Sequence, residues 1–174
     1  MIIKRKRILL KLATESDFPL FQKWFSLENM KYMISHMPQD IKYNKEMCLE
    51  IYSKKNLLVF IIETNEKPIG SCGLKNIDPK KGKATFGIKI EEEEDRNKGY
   101  GTEAAQLLFD YGFKKLKLHQ IDSAVSGLNI RSIRMHEKLG FNMAPPTKDE
   151  NGKFRDDVYF TLSKKDWEEK QKEL

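Results

Sequence analysis

A single α/β domain with a mostly antiparallel sheet is what this chain predicts, and three observations carry that expectation. Short apolar runs separated by turn-forming residues fill its middle. Segments with apolar residues at three- and four-residue steps flank them. One such helical segment lies between two strands, the arrangement a parallel crossover needs. No repeat or low-complexity linker interrupts the 174 residues, so residues 1–174 read as one domain.

The first strand is expected over Arg7–Ala13, where apolar residues dominate. Thr14-Glu15-Ser16-Asp17 then resembles a capping box, with Pro19 tolerated in the first helical turn. That helix carries Phe18, Phe21, Trp24 and Phe25 on one face and fades near Glu28. A shorter helix is expected around Lys45–Lys54. Strands follow over Leu57–Glu63, Ile69–Ile77 and Ala84–Ile90, joined by turns at Asn65–Pro68 and Asp78–Gly82. Such short connections favour a meander. A helix from about Thr102 to Leu116, a strand His119–Val125 and a helix Ile130–Leu139 closed by Gly140 come next. Strands at Phe141–Met143 and Val158–Leu162, and a last helix opening at Ser163, complete about seven strands flanked by helices.

Composition narrows the function. Ten Phe, six Tyr and two Trp supply a core, and the longest purely apolar run, Leu57–Ile62, is six residues. A membrane-spanning helix needs roughly 18–20. The apolar stretch at the N-terminus is broken by Lys11 and no small-residue cleavage site follows, so a cytoplasmic location without membrane association is expected. Cys48 and Cys72 make no disulfide framework, and His36, His119 and His136 lack ligand spacing, so no metal is expected. The net charge of +6 suits an anionic partner. Lys4-Arg5-Lys6-Arg7 has the count of a nucleic-acid patch, but no recognition grammar accompanies it. It reads as a solvated lead into the first strand, and nucleic acid is not expected as a partner.

The informative stretch is Arg96-Asn97-Lys98-Gly99-Tyr100-Gly101-Thr102. Glycines at 99 and 101 permit a sharp turn and bring bare N–H groups close to a ligand. The helix start adds unpaired donors and partial positive charge, which together make a phosphate cradle. Arg96 and Lys98 add charge at its mouth. The stretch is no Walker loop, since no Gly-Lys-Ser/Thr follows. Ala104 in the third glycine position separates it from the dinucleotide fingerprint.

With this loop, Thr102-Glu103-Ala104 after it, and a second block of Asn129-Ile130-Arg131-Ser132 running into Glu137-Lys138-Leu139-Gly140-Phe141, the sequence resembles the GNAT superfamily of acetyl-CoA-dependent N-acetyltransferases. The wording is most similar to its RimJ/RimL-type branch. The resemblance implies a twisted sheet with splayed strands 4 and 5, here Ala84–Ile90 and His119–Val125. Arg96 to Thr102 would hold the pyrophosphate of acetyl-CoA, the backbone of Ile88, Lys89 and Ile90 would pair with its pantetheine arm, and Asn129 and Ser132 would contact the arm. It also implies direct transfer to an amine substrate, a small molecule such as a polyamine or aminoglycoside or a protein N-terminus, and a homodimer at family level. On that reading Gly101→Val puts a branched side chain where phosphate must sit. No acyl-enzyme nucleophile is needed, so both cysteines read as core thiols.

Two positions depart from the family pattern. Where many members carry a Tyr that protonates the leaving thiolate, this chain has His136, whose imidazole is the candidate acid; the alternative is a side chain that merely flanks the apolar side of its helix. Where many carry a strand-4 Glu as base, none occurs before Glu91, leaving Glu28, His36 or Asp40 as candidates. These departures keep a second reading open, a coenzyme A-binding module without turnover. The run Glu91-Glu92-Glu93-Glu94-Asp95 beside a proposed anion site is expected to face water, where screening acts over about 8–10 Å. The loop Pro145–Lys153 is a candidate rim for the acceptor.

Overall fold

The structure, a computed structural model, describes residues 1–4, 7–24, 55–64, 67–146 and 157–173. The expected helix at Lys45–Lys54, the candidate bases Glu28, His36 and Asp40, Cys48, and most of the 145–153 loop lie outside the described residues.

Eight strands form one sheet: β1 (Ile2–Lys4), β2 (Leu9–Leu12), β3 (Leu58–Glu63), β4 (Pro68–Asp78), β5 (Lys83–Ile90), β6 (Gln120–Ser126), β7 (Asn142–Ala144) and β8 (Asp157–Ser163). Four helices are described: α1 (Phe18–Trp24), α2 (Tyr100–Lys114), α3 (Ile130–Lys138) and α4 (Lys164–Gln171). The strand order is β1-β2-β3-β4-β5-β6-β8-β7. Every neighbouring pair is antiparallel except β5–β6, which is parallel. The meander and the single crossover through α2 are therefore as the sequence predicts. Among the described residues eight strands stand where about seven are expected. The additional edge strand is Ile2–Lys4, whose Ile3 pairs with Leu10.

The core follows from alternation along the strands. Ala84 and Phe86 of β5 and Ile121 and Val125 of β6 turn to the face covered by α2. On α2, Ala104, Ala105, Leu108, Phe109 and Phe113 are buried. Gly112 permits the close approach, because a Cβ there would lie 3.3 Å from Leu118 and 3.4 Å from Ile121 and Leu74. Phe109 meets Phe86 edge-on at 4.8 Å and Trp167 of α4 at 5.4 Å. The Trp167 indole N–H donates to Asp110 at 3.1 Å, so the ring's polar atom is satisfied. Rings of this size contribute about 1.5–3 kcal/mol each on burial. On the opposite face a smaller cluster of Phe21, Trp24 and Ile61 anchors α1.

Local signals in the sequence set the helix ends. Asp17 accepts from the Thr14 amide at 2.9 Å, as the capping box requires. A short 3-10 turn, Glu15–Asp17, precedes α1. Gly140 ends α3 at φ +89°, with Gly140 N–H donating to Glu137 and Phe141 N–H to His136. These two bonds make a Schellman motif. Ser163 caps α4 by accepting from the Asp166 amide. No described helix is long and apolar enough to cross a membrane.

Candidate active site

The site begins where the β5–β6 ladder stops. Pairing covers only Lys83–Gln120, Ala84–Ile121 and Thr85–Asp122. Beyond Thr85, β5 runs on to Ile90 beside β4, while β6 runs on beside β8. The two strands diverge into a fork. Ser123 bridges its apex, its hydroxyl 3.4 Å from the Phe86 carbonyl oxygen.

The orientation of the β5 main chain inside the fork can be read from its neighbours. The Phe86 carbonyl faces β6, and that of Ile90 faces the cofactor-loop side, where it accepts from Arg96 Nε at 3.1 Å. The Lys89 carbonyl faces β4, up against the place where a Cβ on Gly70 would sit. Strand alternation then turns the C=O of Phe86, the N–H and C=O of Ile88 and the N–H of Ile90 into the fork. Of the expected Ile88–Ile90 segment, Lys89 thus points the other way. On the opposite face Gly87, paired with Gly73, is exposed in mid-strand. A Cβ there would meet nothing within 4 Å among the described residues.

The loop from Arg96 to Thr102 closes the fork's mouth. Asn97 and Gly99 take positive φ, +64° and +84°, turning the chain into α2. The amides of Tyr100, Gly101 and Thr102 find no main-chain acceptor among the described residues, as expected of a first helical turn. A Cβ on Gly101 would stand 3.7 Å from Ile90 Cγ1 and Met135 Sδ and 3.8 Å from Ile88 Cδ1. Gly101 therefore looks into the gap between β5 and α3.

Charges around the loop are placed differently from the sequence reading. Arg96 is turned inward, donating to the carbonyls of Ile90 and, at 2.7 Å, of Glu91. Lys98 reaches Asp95 at 3.1 Å. In their place Arg7, read from sequence as a solvated lead-in, lies 5.0 Å over the Tyr100 ring and pairs with Glu103. Sequence gives no sign of this contact, which spans 96 positions. Glu93 and Glu94 of the acidic run face water as expected, but Glu91 and Asp95 are buried and Glu92 is half-buried. Glu91 is buried beside Lys89, Glu92 meets Lys23, and Lys67 lies 2.6 Å from Glu94 and 3.1 Å from Asp95. Lysines thus pair with four of the five carboxylates.

Asn129 sits at the start of α3, where its Oδ1 accepts from Ser132 N–H at 3.1 Å. The expected cofactor contact falls to its remaining amide group. Asn129→Ala should cost about 1 kcal/mol through the lost cap and lower Tm by roughly 2–4 °C. Thermal denaturation should find Asn129→Ser near wild type, since serine also caps.

His136, the candidate acid, is 2% exposed. Its ring packs between Phe141 and Phe160, each 4.9 Å away, and lies 5.8 Å from Phe86. Nδ1 is 2.8 Å from the Ser132 carbonyl oxygen and Nε2 is 2.9 Å from Ser123 Oγ. Burial pushes its pKa below the ordinary 6.5, partly offset by the bond to Ser132. Both nitrogens are engaged, and the ring presents neither to the fork. Cys72 is also buried, which pushes its thiol pKa up and makes it a poor nucleophile. Among the described residues no cluster of side chains is arranged to hold a metal ion.

A fork with open main-chain donors and acceptors, entered past a bare helix start, fits a nucleotide-bearing carrier with an amide-containing arm. The chain belongs to the acetyltransferase (GNAT) domain family, which residues 7–142 match. It is an N-acetyltransferase that uses acetyl-CoA and acts on amines. The uncharacterized N-acetyltransferase p20 of Bacillus licheniformis is 29% identical over 167 residues, spanning 91% of this chain and 93% of that protein. Spermidine N(1)-acetyltransferase of Escherichia coli (strain K12) is 32% identical over 102 residues, 57% of this chain and 54% of that protein. The solved spermidine N-acetyltransferase of Vibrio cholerae, in complex with CoA and spermine, shares the fold with a TM-score of 0.80 at 21% identity, covering 94% of this chain and 99% of that one.

Proposed function

We propose that this chain transfers acetyl from acetyl-CoA directly to an unprotonated primary amine, with a peptide or protein N-terminus as the preferred acceptor. The observation that carries the reading is the ending of the β5–β6 ladder at Thr85, which leaves main-chain groups of β5 open beyond it. In this reading the amides of Tyr100, Gly101 and Thr102 hold the pyrophosphate, with Gly99 and Asn97 shaping the turn. Arg96 secures the loop to the end of β5, and Ile88 pairs with the arm. The bound acetyl-CoA supplies an acyl group already activated as a thioester. The chain's part is to hold that group and the amine together, and proximity supplies much of the acceleration.

Gly87 supports an approach for the amine from the face opposite α2, since nothing described fills the space above it. Buried Cys72 supports direct transfer. The choice of acceptor rests on proton chemistry. Glu91, the first carboxylate after β5, is buried against Lys89 and offers no base to that face. An alkyl amine with pKa about 10.4 costs about 4–5 kcal/mol to deprotonate at pH 7, whereas an α-amine near 7.7–8.0 costs about 1 kcal/mol. A site without a described base favours the second. The RimJ/RimL-type wording of the loop agrees with that preference, whereas the spermidine-acetylating relative supports a polyamine as the second reading.

Thiol release from acetyl-CoA, measured against free peptides, N-blocked peptides, spermidine and an aminoglycoside, tests the proposal. Free peptides are expected to give the highest kcat/KM and blocked peptides none. A higher value for spermidine would select the second reading. Tight acetyl-CoA binding with no release from any amine would leave a coenzyme A-binding module.

A further inference from the structure

His136 and Ser123 are the buried polar pair of an otherwise aromatic region, and they sit at the apex of the fork. The carbonyl of Ser132 only accepts, so Nδ1 of His136 must carry the proton that joins them at 2.8 Å. In the neutral ring Nε2 is then an acceptor, and the Ser123 hydroxyl spends its single proton there, at 2.9 Å. The Phe86 carbonyl, 3.4 Å from the same oxygen, is left without that proton. If the ring gains a second proton, Nε2–H donates to Ser123 Oγ instead. The serine proton is then released toward Phe86, where it takes one of the carbonyl's two lone pairs and competes with any other donor.

We propose that His136 and Ser123 act as a positioning couple that sets how freely the Phe86 carbonyl accepts from an amide N–H of the acetyl-CoA arm. This deepens, and rests on, the reading that the arm lies in the fork. His136 is then no acid acting on the leaving thiolate; it holds a main-chain acceptor ready two residues before Ile88. The groups facing the ring are Ser132 on its own helix, Ser123 of β6, Phe86 of β5, Phe160 of β8 and Phe141. None of these is charged. Binding of the arm favours the neutral ring, so by reciprocity the arm makes the ring harder to protonate.

The test is a histidine ¹⁵N NMR titration of the full chain, free, with CoA, and with 3′-phosphoadenosine 5′-diphosphate, which brings the phosphates without the arm. The chain's other histidines, His36 and His119, are assigned by His36→Gln and His119→Gln, leaving His136 by elimination. The expected result is an Nδ1–H ring whose midpoint lies about one pH unit lower with CoA than with the armless nucleotide, equivalent to tenfold in affinity. Equal midpoints, or an Nε2–H ring, overturn the proposal while leaving the cofactor site intact. Calorimetry separates this from the broader reading, because absence of CoA binding would remove the site itself. In Ser123→Ala the ratio of CoA to armless-nucleotide affinity should lose its dependence on pH between 5.5 and 8; an unchanged slope counts against the couple.

Discussion

Gly101→Val is expected to weaken acetyl-CoA binding at least tenfold, about 1.4 kcal/mol, while Gly101→Ala leaves binding close to wild type. The contrast follows from the 3.7–3.8 Å that separate an added Cβ from Ile90, Met135 and Ile88. One methyl group makes ordinary contact at that distance. It also removes a helical glycine, so the alanine variant should gain about 0.4–1 kcal/mol of stability. The γ-carbons of valine reach about 1.5 Å further into the same gap, where the arm is proposed to lie. Met135 can yield because its thioether end is flexible, so the fold should survive and the loss should fall on the ligand. Calorimetry with CoA and thermal melts of both variants check the pair. Equal binding by Gly101→Val and wild type would place the arm elsewhere.

Much of this architecture was legible because it rests on local chemistry. Thr14 with Asp17, Ser163 and Gly140 mark helix ends through hydrogen bonds or dihedral angles that adjacent residues settle. Gly99 likewise signals a turn only a residue tolerant of positive φ makes cheaply. What was not legible depends on partners far along the chain. Glu92 finds Lys23 across 69 positions and Glu94 finds Lys67 across 27, so a run that looks wholly solvated is also ion-paired. Arg96 looks like a phosphate ligand by composition, yet the nearest acceptors once the loop folds are the carbonyls of Ile90 and Glu91. His136 occupies a position the family resemblance marks as chemical. Its burial comes from Phe160 and Ser123 on strands that periodicity locates but cannot orient toward it.

Lys89→Met should be the most destabilising single change near the site. The Glu91 side chain is 1% exposed, with Lys89 Nζ 2.6 Å from Oε2. Removing the ammonium strands a buried charge, at a cost of about 3–5 kcal/mol, or roughly 6–20 °C in Tm for a domain of this size. The sign of the pH dependence identifies the cause. Burial already raises the Glu91 pKa above its ordinary 4.5, with Lys89 and Arg96 opposing and Glu92 adding to the rise. Without Lys89 it rises further. A carboxyl whose folded pKa exceeds its unfolded value contributes stability below the unfolded pKa and loses it as pH rises through the folded one. The gap in Tm between wild type and Lys89→Met should therefore be widest near pH 7 and narrow toward pH 5. Lys89→Met with Glu91→Gln should recover most of it, since no charge is then stranded. A gap indifferent to pH would mean that packing of the lysine stem, not the carboxylate, sets the cost. Because the Glu91 carbonyl also receives Arg96, the single variant should loosen the loop and raise KM for acetyl-CoA before the domain melts. The double variant should restore both together, which ties the buried pair to the seating of the cofactor loop.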